Sequence, residues 1–199
     1  MIAIIDYAIN NLRSVEKAFQ SLGADVLATS SPAEIRKAEK LVLPGVGAFA
    51  DAMQNLRSKN LEDLLREKVE AGTPLLGVCL GLQLLFRESE EFGRHFGFNF
   101  IPGKVVRFRE GLKVPHIGWN QLHHKRVDPL LQGIEDQSFV YFVHSYYAVP
   151  EHSEDVLATS DYGIEFPAIA RRGNVWATQF HPEKSQSVGL HILKNFADM

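Results

Sequence analysis

The sequence predicts a three-layer α/β/α fold, with a mostly parallel central sheet and antiparallel strands added by the second half. Three observations predict it. Short apolar runs alternate with helical periodicity up to Glu88. One of those runs, at Leu75 to Phe86, passes straight into a helix with no loop between. From Gly103 onward the chain changes to short strands. Alternating strands and helices require parallel pairing, because each crossover helix must lie on the sheet it returns to.

Taken in order, Ile2 to Ile5 is a continuous apolar run of the kind buried on both faces. Asn11 to Leu22 is a helix stopped by Gly23. Asp25 to Ala28 and Lys40 to Leu43 are the next strands, the latter closing on Pro44-Gly45-Val46-Gly47. Helices are expected over Ala48 to Leu56 and Leu61 to Ala71, with Gly72 as a stop signal. Leu75 to Val78 is the fourth strand, and the helix behind it sets Leu80, Leu84 and Leu85 on one face. Ser89 to Phe98 reads as loop. Strands follow at Lys104 to Phe108, Val114 to Leu122, Ser138 to Val149, Asp155 to Thr159, Phe166 to Ala170 and Val175 to Gln179. Ser185 to Phe196 is the final helix. No repeat, low-complexity tract or Gly/Ser linker divides the 199 residues, and a single domain over 1–199 is expected.

Composition narrows the function. Hydrophobic residues make up 45% and charged residues 23%, which is ordinary globular usage. The single cysteine, Cys79, excludes an internal disulfide and a CxxC zinc site, and it suits a reducing compartment. Met1-Ile2-Ala3-Ile4-Ile5-Asp6 lacks a basic leader and reads as a first strand. No apolar run approaches the ~20 residues needed to span a bilayer. A formal net charge of −3 without a basic block argues against nucleic acid as a partner. A cytoplasmic protein is expected, with neither membrane nor nucleic acid as partner.

The centre of the chemistry is Gly77-Val78-Cys79-Leu80-Gly81. This is the cysteine form of the G-x-S-x-G nucleophile elbow. A strand that becomes a helix at one residue crowds the backbone there, and flanking glycines relieve the crowding because they carry no Cβ. The apex side chain is pushed out above the sheet, over the N-terminus of the new helix. Free N–H groups and the helix dipole there favour the reactive thiolate.

A base is available in Gln179-Phe180-His181-Pro182-Glu183. Residues i and i+2 of extended chain point to one side, so Glu183 can fix one imidazole nitrogen of His181 while the other faces a thiol. Cys79, His181 and Glu183 then make a nucleophile, base and orienting acid. His144 is a rival base, since it also ends an apolar strand. Pro44-Gly45-Val46-Gly47-Ala48-Phe49-Ala50 matches a dinucleotide fingerprint, yet the following strand ends without the acidic ribose partner. Its backbone N–H groups can instead serve an oxyanion, together with that of Leu80. His123 and His124 are adjacent and face opposite ways on a strand, and there is no HExxH or second thiol. Neither a metal nor a cofactor is expected.

The blocks Gly77 to Gln83 and His181-Pro182-Glu183 resemble the class I, triad-type glutamine amidotransferases. Asp6-Tyr7, Asn11-Leu12-Arg13-Ser14, Pro44 to Phe49, Pro115-His116-Ile117-Gly118-Trp119-Asn120, Tyr141 to Tyr146 and Gln179 to Ser185 narrow the resemblance. They are similar to the family of glutaminase subunits that serve imidazole glycerol phosphate synthase in histidine biosynthesis. The resemblance implies hydrolysis of glutamine to glutamate and ammonia, with delivery of the ammonia to a (β/α)8-barrel cyclase subunit in a heterodimer. It implies Cys79 as nucleophile, His181 as acid and base, and Glu183 as its orienting group. Val46 and Leu80 would serve the oxyanion, and Gly47, Gln83, Ser145 and Tyr146 would hold glutamine. Asn11, Trp119, Asn120, Tyr141 and Lys184 would face the cyclase. The chain departs from the family at Ala8, where glycine is common, and at Asn10, where a small residue is frequent. From the residues alone, a peptidase or γ-glutamyl hydrolase on the same elbow, or a non-catalytic binding domain, stays open.

Overall fold

The computed structural model describes residues 1–8, 11–109 and 111–199. The first half runs β1 (Ile2–Ile5), α1 (Leu12–Ser21), β2 (Val26–Thr29), α2 (Pro32–Lys37), β3 (Lys40–Gly45), α3 (Phe49–Ser58), α4 (Leu61–Glu70), β4 (Leu75–Cys79) and α5 (Leu80–Leu84). The second half adds β5 (Phe86–Ser89), β6 (His95–Phe96), β7 (Ile101–Arg107), β8 (His116–Gln121), β9 (His123–His124), β10 (Phe139–His144), β11 (Tyr146–Pro150), β12 (Val156–Asp161), β13 (Glu165–Arg172), β14 (Val175–Thr178) and α6 (Gln186–Asp198).

The main sheet has eight strands in the order β2-β1-β3-β4-β14-β13-β12-β9. β2, β1, β3, β4 and β14 pair in parallel, and beyond β14 the strands β13, β12 and β9 are each antiparallel to the one before. Residue alternation sorts the core into two layers. Ala3, Ile5, Leu41, Leu43 and Leu75 face one side, under Ile35 of α2, Met53 of α3 and Leu65 of α4. Ile2, Ile4, Val42, Leu76 and Val78 face the other, under Phe19 of α1 and Ile192 of α6. The α/β/α expectation holds, and the added strands extend this sheet. Among the described residues no helix is long and apolar enough to cross a membrane.

Three segments differ from the sequence expectation. The short helix α2 was not foreseen, although it begins with proline and carries Glu34 in its first turn and Arg36 and Lys37 in its last. The expected loop over Ser89 to Phe98 contains the end of β5 and all of β6, which pair with each other. Both belong to a four-stranded sheet, β11-β7-β5-β6, whose pairings are non-local and leave no periodic trace in so short a stretch. The expected strand Ser138 to Val149 is two strands. β10 pairs with β8 in a separate two-stranded ribbon, β11 pairs with β7, and Ser145 is the crossing point.

The elbow is held by space that only glycine leaves. A Cβ on Gly81 would overlap the Leu43 carbonyl oxygen of β3. One on Gly77 would lie 2.7 Å from Leu85 Cδ1 and 2.8 Å from the Gly81 carbonyl oxygen. One on Gly45 would lie 2.7 Å from the Tyr7 hydroxyl and 2.8 Å from Leu80 Cβ. Ala8 sits at φ 66°, the left-handed region that glycine occupies without strain. Asn10 lies outside the described residues.

Gly81→Ala tests this packing. The obstacle is backbone and cannot rotate away, so the substitution should remove at least about 4 kcal/mol of stability, as severe overpacking does. Urea unfolding of the purified variant measures it. A loss under about 1 kcal/mol would mean that α5 does not need to press on β3.

Candidate active site

The parallel strands β3, β4 and β14 end side by side, with Gly45 opposite Cys79 and Thr178 opposite Val78. The crevice at the carboxyl ends of such strands is where open α/β sheets place their sites. Cys79 is the last residue of β4 and stands directly before α5, at φ 55° and ψ −108°. A non-glycine residue held there stores about 1–3 kcal/mol of strain. The thiol is mostly buried, with Sγ 4.0 Å from the Val143 carbonyl oxygen.

His181 and Glu183 come together by a route different from the one the sequence suggested. β14 stops at Thr178, and the juxtaposition is made by a 3₁₀ turn, Pro182–Lys184, that starts at an extended His181. Glu183 Oε1 accepts from His181 Nδ1 at 2.8 Å and from Asn11 Nδ2 at 2.7 Å. Both triad side chains are closed to solvent, at 1% and 0% exposure, so the bond forms in a medium that screens it poorly. His181 Nε2 has no hydrogen-bond partner among the described residues, although the ring lines the same cleft as Cys79. Burial opposes charge on this imidazole. Charge attraction from Cys79 and Glu183, together with the Nδ1 bond to Glu183, outweighs that opposition and raises it from 6.5 to about 10. The site therefore favours an imidazolium facing the sulfur.

The cleft has a volume of about 340 Å³, at the small end for ligand sites. Its walls include Val46, Gly47, Leu80, Gln83, Ser145 and Tyr146. These are the oxyanion and substrate residues expected from the sequence, and all six line the same cleft as Cys79. Gly47 takes φ 104°, so the loop conformation depends on glycine. Glu91 also lines the cleft and was not singled out by sequence. Its Oε2 accepts from the Phe49 N–H at 2.7 Å, at the start of α3. Tyr7 is buried and donates its hydroxyl to the Pro44 carbonyl at 2.6 Å, bracing the strand end that leads into the oxyanion loop.

His144 is not free to act as a base. Its Nδ1 lies 2.9 Å from the Tyr146 carbonyl and its Nε2 lies 3.0 Å from His116 Nδ1. Burial pushes His144 down to about 3 and His116 down to about 4, so both rings are neutral at pH 7.

The residues expected at a partner surface divide. Trp119 and Tyr141 are opposed across β8 and β10, ring centroids 5.9 Å apart, and Trp119 is 45% exposed. Lys184 is exposed in the 3₁₀ turn beside Glu183. Asn11 is instead engaged with the triad carboxylate. Asn120 alternates to the opposite side of the ribbon from Trp119, and its Nδ2 donates to the Asp161 carbonyl at 2.7 Å.

The raised imidazole has two measurable consequences. Between pH 6.5 and about 10 the folded chain holds a proton that the unfolded chain lacks. The contribution of the pair to stability is therefore complete below pH 6.5 and is lost as pH rises through about 10. Replacing the cation in His181→Gln should flatten that alkaline fall and slow iodoacetamide labelling of Cys79 at pH 7 by at least about tenfold. Equal labelling rates in the two proteins would show that His181 does not activate the thiol.

Comparison with known proteins agrees with this geometry. The family model described as glutamine amidotransferase class-I matches residues 3–199. The chain is 57% identical to "Imidazole glycerol phosphate synthase subunit HisH" of Syntrophotalea carbinolica, over all of both chains. It is 53% identical to the protein of that name from Moorella thermoacetica, over all of this chain and 94% of the relative. Among solved structures, one titled "Crystal structure of glutamine amidotransferase" superposes with a TM-score of 0.79 at 21% identity, covering all of both chains. PurLQS from Thermotoga maritima superposes at 0.77 and 16% identity, covering 99% of this chain and 97% of that one. These two share the fold. The chain belongs to the class-I glutamine amidotransferase family, and within it to the imidazole glycerol phosphate synthase HisH subunits.

Proposed function

We propose that the chain, acting as one amidotransferase domain in the cytoplasm, hydrolyses glutamine to glutamate and ammonia. It passes the ammonia to a (β/α)8-barrel cyclase subunit that forms imidazole glycerol phosphate and aminoimidazole carboxamide ribonucleotide. The observation that carries this reading is the Cys79, His181 and Glu183 set, gathered at the carboxyl ends of β4 and β14 with His181 favouring its charged form.

The chemistry follows from the placement. Cys79 Sγ attacks the γ-amide carbonyl carbon, and the resulting oxyanion is met by backbone N–H groups of Val46 and Leu80. His181 Nε2–H protonates the amide nitrogen, the C–N bond breaks, and ammonia leaves a thioester on Cys79. Neutral His181 then takes a proton from water, whose oxygen attacks the thioester; glutamate and the thiol are released. Glu183 holds Nδ1 throughout, and Asn11 holds Glu183. Glu91 is the one carboxylate among the described residues lining the cleft, which suits it to the α-ammonium of glutamine. Gln83, Ser145 and Tyr146 supply further polar contacts to the substrate.

The ribbon of β8 and β10 is the proposed docking face for the cyclase. Ile117, Trp119 and Phe139 expose apolar surface on its outer side, at 59%, 45% and 53%. Behind that face, the Tyr141 carbonyl accepts the His181 N–H at 3.0 Å, and the Tyr141 N–H donates to Ser185 Oγ at 2.9 Å. A partner that moves the ribbon thereby moves the base. Lys184, exposed beside it, is suited to a carboxylate of the partner.

Two experiments test this. Cys79→Ala in complex with the cyclase should release no glutamate from glutamine and still form imidazole product from free ammonia at high pH. Retained glutamine-dependent turnover in that variant would falsify the nucleophile. Trp119→Ala should weaken association with the cyclase by about 2 kcal/mol or more, read by titration calorimetry. Unchanged affinity would move the interface elsewhere on the molecule.

A further inference from the structure

His116 and His144 sit where an aromatic core would ordinarily be apolar. His116 stacks on Phe142 at 5.1 Å and Tyr162 at 4.1 Å, and His144 packs among Phe108, Phe142 and Phe166. Both are almost fully buried, at 3% and 5% exposure. Packing alone is satisfied by phenylalanine, without the desolvation that two imidazoles cost. What the imidazoles add is a directed hydrogen-bond chain.

The chain has one consistent set of protons for two neutral rings. The Tyr146 carbonyl can only accept, so His144 Nδ1 carries its proton, at 2.9 Å. His144 Nε2 is then an acceptor, and His116 Nδ1, 3.0 Å away, must be the donor. His116 Nε2 is left to accept from Asn120 Nδ2 at 3.5 Å. At the other end, the Tyr146 carbonyl also receives Gln83 Nε2 at 3.0 Å. Gln83 follows the nucleophile by four residues on α5, and both Gln83 and Tyr146 line the cleft.

We propose that His116 is a positioning residue for substrate: through the His144 imidazole it fixes the Tyr146 carbonyl and, with it, the Gln83 amide in the cleft wall. The role rests on the glutaminase reading above. It joins the ribbon to the substrate side of the site, just as Tyr141 joins it to the base. His116 and His144 face each other in register on β8 and β10, and Trp119 lies on the same strand as His116. Displacement of β8 by a docked partner is therefore felt at Gln83 as well as at His181.

The experiment uses the full chain in complex with its cyclase. His116→Phe keeps the ring stacking and removes the donor, leaving His144 Nε2 buried and unsatisfied. The KM for glutamine should rise about tenfold while kcat changes by no more than about twofold. His116→Asn, whose amide N–H can stand where Nδ1–H stands, should recover most of the KM. In the wild-type chain, ¹⁵N NMR at pH 7 should find both imidazoles neutral and protonated on Nδ1. A lowered Tm with unchanged KM in His116→Phe, or a fall in kcat alone there, would overturn the positioning role. An Nε2–H tautomer at His144 overturns it whatever the kinetics give, including where a variant fails to fold. Absence of glutamate release from the wild-type complex sinks the glutaminase reading instead.

Discussion

The close approach of α5 to β3 is the constraint on which the site depends. Gly81 has room for hydrogen but not for carbon against the Leu43 carbonyl, and Gly45 and Gly77 are crowded by the same packing. Because the helix starts this near the sheet, β4 cannot end in a relaxed turn, and Cys79 takes a conformation that costs energy. The cost is met by the surrounding layer, where Leu80, Leu82, Leu84 and Leu85 are all buried. A relaxed turn would let the thiol swing away from the cleft. Strain here is what aims it.

Four buried polar residues in and behind the cleft are driven in different directions by their surroundings. His181 meets an acid and a thiol and is raised, whereas His144 and His116 meet aromatic rings and each other and are lowered. Burial is the largest influence on all three, so the difference comes from the partners that offset it. Tyr7, buried beside Cys79, is held in its neutral phenol form, first by burial and then by the nearby sulfur, and it can only donate to the Pro44 carbonyl it already holds. One cleft thus contains a single mobile proton, between His181 and its neighbours, surrounded by groups whose protons stay in place at neutral pH.

The ribbon of β8 and β10 is small, yet it touches both halves of the chemistry. Its backbone at Tyr141 bonds to His181 and Ser185, and Ser185 Oγ in turn donates to the His181 carbonyl at 2.7 Å. Its inward side chains carry the two histidines. Its outward side chains leave apolar surface in water, which lowers the stability of the free chain and marks a surface that another protein can cover. Two strands alone are a weak sheet, and such an element can shift without disturbing the eight-stranded core.

Local chemistry in the sequence was sufficient for the β-α alternation of the first half, for the elbow at Gly77 to Gly81 and for the pairing of His181 with Glu183. Those features rest on residues near in sequence: continuous apolar runs, glycines beside the apex, and a carboxylate two positions from an imidazole. Tertiary structure decided what depends on distant segments. It broke the run Ser138 to Val149 at Ser145, because β8 and β7 offered separate partners to its two halves and neither glycine nor proline marks the break. It brought Asn11 to Glu183 and Glu91 to the cleft, across chain separations that no spacing rule records. It removed His144 from the candidates for base by closing both of its nitrogens, one on Tyr146 and one on His116. A residue's proton affinity is set by the groups folded around it, and for a buried histidine those groups come from other strands.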